Sequence, residues 1–109
     1  MFMRFTWGKI RPRAWDDLQA VYARVSDPAI EGLQARWLAR DTVDTDAFFA
    51  VTLWETVEAI QAWESTPEYQ TEFLDKIDPF TLGSYSVSVC EIKYQSIGSA
   101  IVAGQGRLA

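Results

Sequence analysis

The chain has 109 residues, 49% of them hydrophobic and 14% aromatic, and carries a formal net charge of −5 at pH 7. That length holds one domain, and the composition is that of a folded globular chain rather than a disordered one. The acidic balance, with no block of basic residues, excludes the electrostatic footprint of a nucleic-acid binder, and no apolar run reaches the roughly 18 residues of a membrane-spanning helix.

Histidine is absent and Cys90 is the only cysteine. Ser-His-Asp and Cys-His nucleophile pairs are therefore ruled out, and zinc lacks its usual ligands. The carboxylates show no regular spacing for a hard cation, so no metal is expected. One cysteine cannot close an internal disulfide, and the opening MFMRFTWGKIRPR has no signal-peptide core. The expected compartment is the cytoplasm, with no contact to a membrane.

Residues 2 to 8 alternate, with Met3, Phe5 and Trp7 on one side and Arg4 and Thr6 on the other, which predicts a half-buried strand. A helix is predicted over residues 12 to 25: Pro12 suits its first turn, Trp15, Leu18, Tyr22 and Val25 recur at helical spacing, and Pro28 stops it. Gly32 opens a second strand over residues 33 to 40. The acidic turn DTVDTD then leads to a third strand over residues 48 to 54.

Thr56 is a candidate N-cap for a helix whose apolar side is Val57, Ile60 and Trp63, with Glu58 near its positive end. Thr66 and Pro67 give a second start signal, for a helical stretch over residues 67 to 76 with Tyr69, Phe73 and Ile77 on one face. Tyr85, Val87 and Val89 alternate with serines as a fourth strand reaching about Tyr94. Residues 1 to 94 form the predicted domain. Beyond them lies a tail in which Ile101 and Val102 suit a short strand against a neighbour.

The order strand-helix-strand-strand-helix-strand predicts an α+β, ferredoxin-like split βαβ fold: a four-stranded antiparallel sheet with both helices on one face. The other face, rich in aromatic and β-branched residues, predicts a homodimer with the sheets packed face to face. Trp7 and Trp37 read as sheet residues in the core or at that contact. Cys90 reads as a buried inert thiol. Glu55, Glu58, Glu64, Glu68 and Glu72 read as a solvated helix face.

The stretch FFAVTLWETVEAIQAWESTPEYQ resembles the segment that identifies antibiotic biosynthesis monooxygenase-like domains. In those domains a strand ends in Trp-Glu-Ser/Thr, and the next helix carries a tryptophan ahead of a Ser/Thr-x-x-aromatic sequence. IEGLQARWLARD resembles the stretch that opens their second strand, with Glu31 in place of a proline. The resemblance implies a dimeric α+β barrel with an aromatic pocket between sheet and helices. It also implies oxidation of an aromatic or quinol-type small molecule by dioxygen, with no metal, flavin or haem.

By this resemblance Trp63 and Tyr69 are the catalytic candidates, one packing on or hydrogen-bonding the substrate and the other orienting the phenol or relaying its proton. Thr6, Arg36, Phe73 and Trp54 are the substrate-binding candidates. By spacing alone Trp63 is as readily a core residue, Tyr69 a helix residue with a solvated hydroxyl, and Arg36 a plain surface or dimer-facing arginine. Haem-degrading relatives would need a histidine where Phe73 stands and an asparagine where Thr6 stands. A non-catalytic binder of a small apolar molecule, and a structural or regulatory dimer with a self-filled pocket, remain the alternatives.

Overall fold

The computed structural model describes residues 1–25 and 30–98. Strand β1 (Phe2–Ile10) is followed by helix α1 (Trp15–Val25), β2 (Leu33–Arg40), β3 (Ala47–Trp54) and α2 (Val57–Glu64). A π-helical turn (Tyr69–Leu74), the short α3 (Asp75–Ile77) and a 3-10 turn (Asp78–Phe80) then lead into β4 (Thr81–Glu91). All pairings in the four-stranded sheet are antiparallel, in the order β2-β3-β1-β4. This is the ferredoxin-like arrangement that the element order predicts.

Period-2 alternation sorts the side chains. Arg4, Thr6 and Gly8 of β1 stand opposite Thr52, Ala50 and Phe48 of β3, and Arg36 and Leu38 of β2 extend the same row. Helices cover that face. Ile10 and Phe48 meet Leu18, Val21 and Tyr22 of α1 and Ile77 of α3 in one core cluster. Under α2, Trp54 and Ile60 are each 1% exposed.

Among the described residues no helix covers the opposite face. Trp7 and Trp37 lie there 43% and 40% exposed, so of the two placements predicted for them the helix-packed core is excluded. Cys90, opposite Met3 on that face, is exposed and not buried as predicted, because β4 is an edge strand and no described element stacks on its outer side. Val87 and Val89 are on the helix side yet 43% and 46% exposed, since the helices do not reach over this edge. Residues 94 to 98 border a surface recess with Met3, Trp37 and Leu53, so the start of the tail runs beside the bare face. Ile101, Val102 and Pro28 lie outside the described residues, as do the side chains of Val25 and Glu72.

Some boundaries differ from the predicted ones. Helix α1 begins at Trp15, not Pro12, because Arg13 adopts a positive φ of 66° and the chain turns before it coils. β1 continues to Ile10, tied by its N–H to the Asp46 carbonyl at 2.8 Å. β4 starts at Thr81 and passes through Gly83, whose φ of 69° fits a register shift opposite Trp7 and Lys9. Thr56 does cap α2, its hydroxyl accepting from the Ala59 N–H at 3.0 Å.

Gly32 shows where backbone geometry is unforgiving. Its φ is +82°, and a Cβ there would stand 2.5 Å from the Cβ of Ala59. Left-handed backbone and overpacking each cost about 1–3 kcal/mol, so Gly32→Ala should lower unfolding stability by about 2–4 kcal/mol. Urea unfolding measures this, and a loss under about 0.5 kcal/mol would contradict the packing of β2 against α2.

Candidate functional site

The alternation of β1 places a cation inside. Arg4 is 8% exposed, beneath the helices. A buried guanidinium costs several kcal/mol unless its donors are met. Here they are met. Nε and Nη2 reach Glu64 Oε2 at 3.1 and 3.0 Å, Nη2 donates to the Tyr69 hydroxyl at 2.7 Å, and Nη1 donates to Thr6 Oγ1 at 3.2 Å. One side chain thus ties β1 to α2 and to the π-helical turn. Glu64 lies on an exposed face as expected, and the ion pair with Arg4 is what the sequence did not show. An acid in the last turn of a helix opposes the helix dipole, and the buried cation is what offsets it.

Thr66 sets the two aromatic candidates. Its hydroxyl donates to the Trp63 carbonyl at 2.7 Å and accepts from the Tyr69 N–H at 3.2 Å. The helical stretch predicted from Pro67 forms, but Tyr69–Leu74 winds as a π-helix, a wider turn that is uncommon and concentrated at functional sites. Tyr69 and Phe73 stack with ring centroids 6.0 Å apart. Trp63 meets Tyr69 edge-on at 5.7 Å, and Tyr22 meets Phe73 edge-on at 5.4 Å. Rings at these distances and angles attract beyond their burial.

These side chains enclose a cavity of about 30 Å³ between sheet and helices. Trp63, Tyr69, Thr6, Arg36, Phe73 and Trp54 all line it, so the fold brings every sequence-predicted site residue together. Trp54 contributes a ring face only, because its indole N–H donates to Thr52 Oγ1 at 2.7 Å. Arg36 is not a plain surface residue: its guanidinium lies 5.3 Å from the centre of the Phe73 ring. Sequence reasoning missed Arg4, Tyr22 and Tyr85 as wall residues. For Arg4 the signal was present, since strand alternation puts it on the face opposite Trp7. Gly8 lets Tyr85 close in, since a Cβ at that glycine would stand 2.9 Å from the Tyr85 Cβ.

The electrostatics follow from burial. Desolvation pushes the Tyr22 phenol from 10.0 up to about 12, against the pull of Arg36 and Arg4. Desolvation, then Asp78 and Tyr69, raises Tyr85. Burial lowers Arg36 from its usual value, Tyr22 opposes that, and the like charge of Arg4 adds to it. An arginine remains a cation at neutral pH even so. The walls combine aromatic faces, neutral phenols and guanidinium charge, and among the described side chains no carboxylate lines the cavity. Guanidinium charge beside aromatic faces favours the anionic form of a group placed there. Among the described residues no group of three or more His, Cys, Asp or Glu is placed to hold a metal ion.

The sequence model of the antibiotic biosynthesis monooxygenase family matches residues 10–72. The chain belongs to that family. No curated protein sequence matches it. Solved structures of similar fold include an arginine-to-serine mutant of MhuD with two manganese protoporphyrin IX bound per active site, at TM-score 0.76 and 22% identity over 90% of this chain and 100% of that one. A Bordetella bronchiseptica protein assigned as an antibiotic biosynthesis monooxygenase is similar at TM-score 0.76 and 14% identity, covering 85% and 97% of the two chains. A Chloroflexus aurantiacus protein with the same assignment gives TM-score 0.65 and 21% identity over 89% and 98%. At these identities the likeness establishes the fold.

Two stability measurements probe this member of the family. Glu64→Gln leaves the Arg4 charge without its anion; since Glu64 is about a third exposed, the expected loss is about 1–2 kcal/mol rather than that of a fully buried pair. A loss near zero in urea unfolding would show that the pair does not hold β1 to α2. The fold favours the neutral Tyr22 phenol, so that contribution is complete below pH 10 and disappears as pH rises toward 12. Wild type should therefore lose up to about 2–3 kcal/mol more than Tyr22→Phe across that window.

Proposed function

We propose that the protein is a cofactor-independent monooxygenase that binds a small phenolic or quinol-type aromatic molecule and oxidises it with dioxygen. The observation that carries this reading is the pairing of Arg4 with Tyr69 beside an aromatic-walled cavity. The Tyr69 oxygen accepts from Arg4, which leaves its own proton to be donated toward the cavity. Trp63 and Phe73 supply faces for the substrate ring, Thr6 and Arg36 its polar contacts, and Trp54 the wall behind them.

The chemistry asks little more of the protein. Nearby guanidinium charge lowers the pKa of a bound phenol, and exclusion of water strengthens that effect. The resulting phenolate passes one electron to dioxygen. A carbon–oxygen bond then forms, and loss of water leaves the quinone, so one oxygen atom enters the product and the other leaves as water. Tyr69 relays the phenol proton during the first step. Haem is a poor fit as substrate, because Phe73 stands where a ligating histidine would be needed and the sequence has no histidine.

The cavity has room for one or two waters only, so the π-helical turn must shift outward to admit a ring system. That closure supports a second reading, in which the aromatic side chains fill the pocket themselves and the protein is a structural dimer. The bare sheet face carrying Phe5, Trp7, Trp37 and Phe49 supports the homodimer in either case.

Oxygen uptake with a panel of hydroxylated anthrones and quinols tests the enzymatic reading. Wild type should consume oxygen in proportion to quinone formed, and Tyr69→Phe should lower kcat/KM by about 10–100-fold. If wild type consumes none of the panel, the self-filled dimer is the better account. Sedimentation tests the assembly: wild type should run as a dimer, and the double variant Trp7→Glu, Trp37→Glu as a monomer.

A further inference from the structure

A break in strand pairing aims one tyrosine at the cavity from the edge of the sheet. Trp7 of β1 stands opposite Ser86 of β4, and Lys9 stands opposite Leu82, so Gly8 alone faces Gly83, Ser84 and Tyr85. Such a bulge bends its strand and re-aims a side chain, and bulges recur next to active sites. Two glycines make this one possible. Gly83 takes the positive φ of 69°, and Gly8 leaves the space into which Tyr85 settles. A Cβ on Gly8 would stand 2.9 Å from the Tyr85 Cβ and 3.0 Å from the Phe48 ring.

Tyr85 thus lines the cavity together with Thr6, Phe48 and Tyr69. Its situation differs from that of the other two phenols there. Tyr22 is 7% exposed, and the Tyr69 hydroxyl is fixed by Arg4 at 2.7 Å. Tyr85 is half-buried on the edge strand, one step along the same face from the exposed Val87. Val87 stands opposite Thr6 and Val89 opposite Arg4, so the polar floor of the cavity continues onto β4 as an apolar margin. Desolvation first, then the Asp78 carboxylate and the Tyr69 phenol, raise Tyr85 from its ordinary value. The hydroxyl therefore keeps its proton at neutral pH and acts as a hydrogen-bond donor. A pocket that hydrogen-bonds a ligand oxygen discriminates against the analogue lacking it.

We infer that Tyr85 is a specificity-determining residue, whose hydroxyl donates to a second oxygen of an aromatic ligand at the β4 end of the cavity. The first oxygen lies at Arg4 and Tyr69. The inference rests on the proposed binding of a small phenolic or quinol-type molecule in this cavity. It adds that the ligand carries a hydroxyl or carbonyl on the far side of its ring system, and it names the residue that reads it. It applies equally if the site binds without catalysing.

Isothermal titration under argon with 2-naphthol and 2,6-dihydroxynaphthalene, one ring system with one hydroxyl or two, tests it without turnover. The extra hydroxyl costs the same to take from water in every variant, so the ratio of the two affinities isolates what the protein gives the second oxygen. Tyr85→Phe keeps the ring and removes the donor, and it should lower the preference for the diol roughly two- to tenfold, the effect of one hydrogen bond. Gly8→Ala, which pushes Tyr85 from its seat without removing the hydroxyl, should lower it in the same direction. Thermal unfolding of each variant identifies any that fails to fold, and either folded variant decides the matter. A ratio that stays at the wild-type value would overturn the inference and leave the aromatic site standing. A wild type that binds 2-naphthol and not the diol would overturn it as well. If neither probe binds wild type, the site reading falls and the inference with it.

Discussion

A single buried cation organises this domain. Arg4 sits on the helix side of a central strand, where a guanidinium is costly unless its nitrogens are occupied. Satisfying it takes a carboxylate from the end of α2, a phenol from the π-helical turn and a hydroxyl two residues along its own strand. Those partners are also what fix the distance between sheet and helices. A leucine at that position could pack under the helices, but it would not orient Tyr69. The charge is thus a device for position as much as for stability.

From that anchor the aromatic residues take their places. Thr66 holds the backbone of Trp63 and Tyr69 in register, Tyr69 stacks on Phe73, and Phe73 receives Tyr22 from α1 and Arg36 from β2. The two rings that the π-helical turn brings to the cavity, Tyr69 and Phe73, are therefore held by residues of β1, β2, α1 and the end of α2. A π-helical turn is rare and recurs at functional sites, and here it sets Tyr69 and Phe73 over the cavity.

Much of this was legible in the residues. The period-2 run of β1, the Thr56 cap and the Thr66-Pro67 start signal are local patterns, and local chemistry sets them. The inward face Tyr69, Phe73, Ile77 was legible because spacing by four marks one side of a helix, although that same spacing hid the π-helical winding between Tyr69 and Leu74. What was not legible depends on contacts between elements far apart in the chain. Glu64 looks like any surface acid until Arg4 is placed beside it, and Cys90 looks buried until β4 is found at the sheet edge. Arg36 looked solvated because most strand arginines are, and only the position of Phe73 shows otherwise. The start of α1 was missed because proline at a helix start is common, and the positive φ of Arg13 leaves no mark in the pattern.

The central claim is that Arg4 and Tyr69 act as a unit, and a double-mutant cycle measures that unit directly. Unfolding free energies of Arg4→Met, Tyr69→Phe and the double variant should reveal a coupling of about 1–2 kcal/mol, as for a charge-assisted hydrogen bond shielded from water. If the two single changes add to within about 0.3–0.5 kcal/mol, the residues are independent, and the anchor on which this account of the site rests is not there.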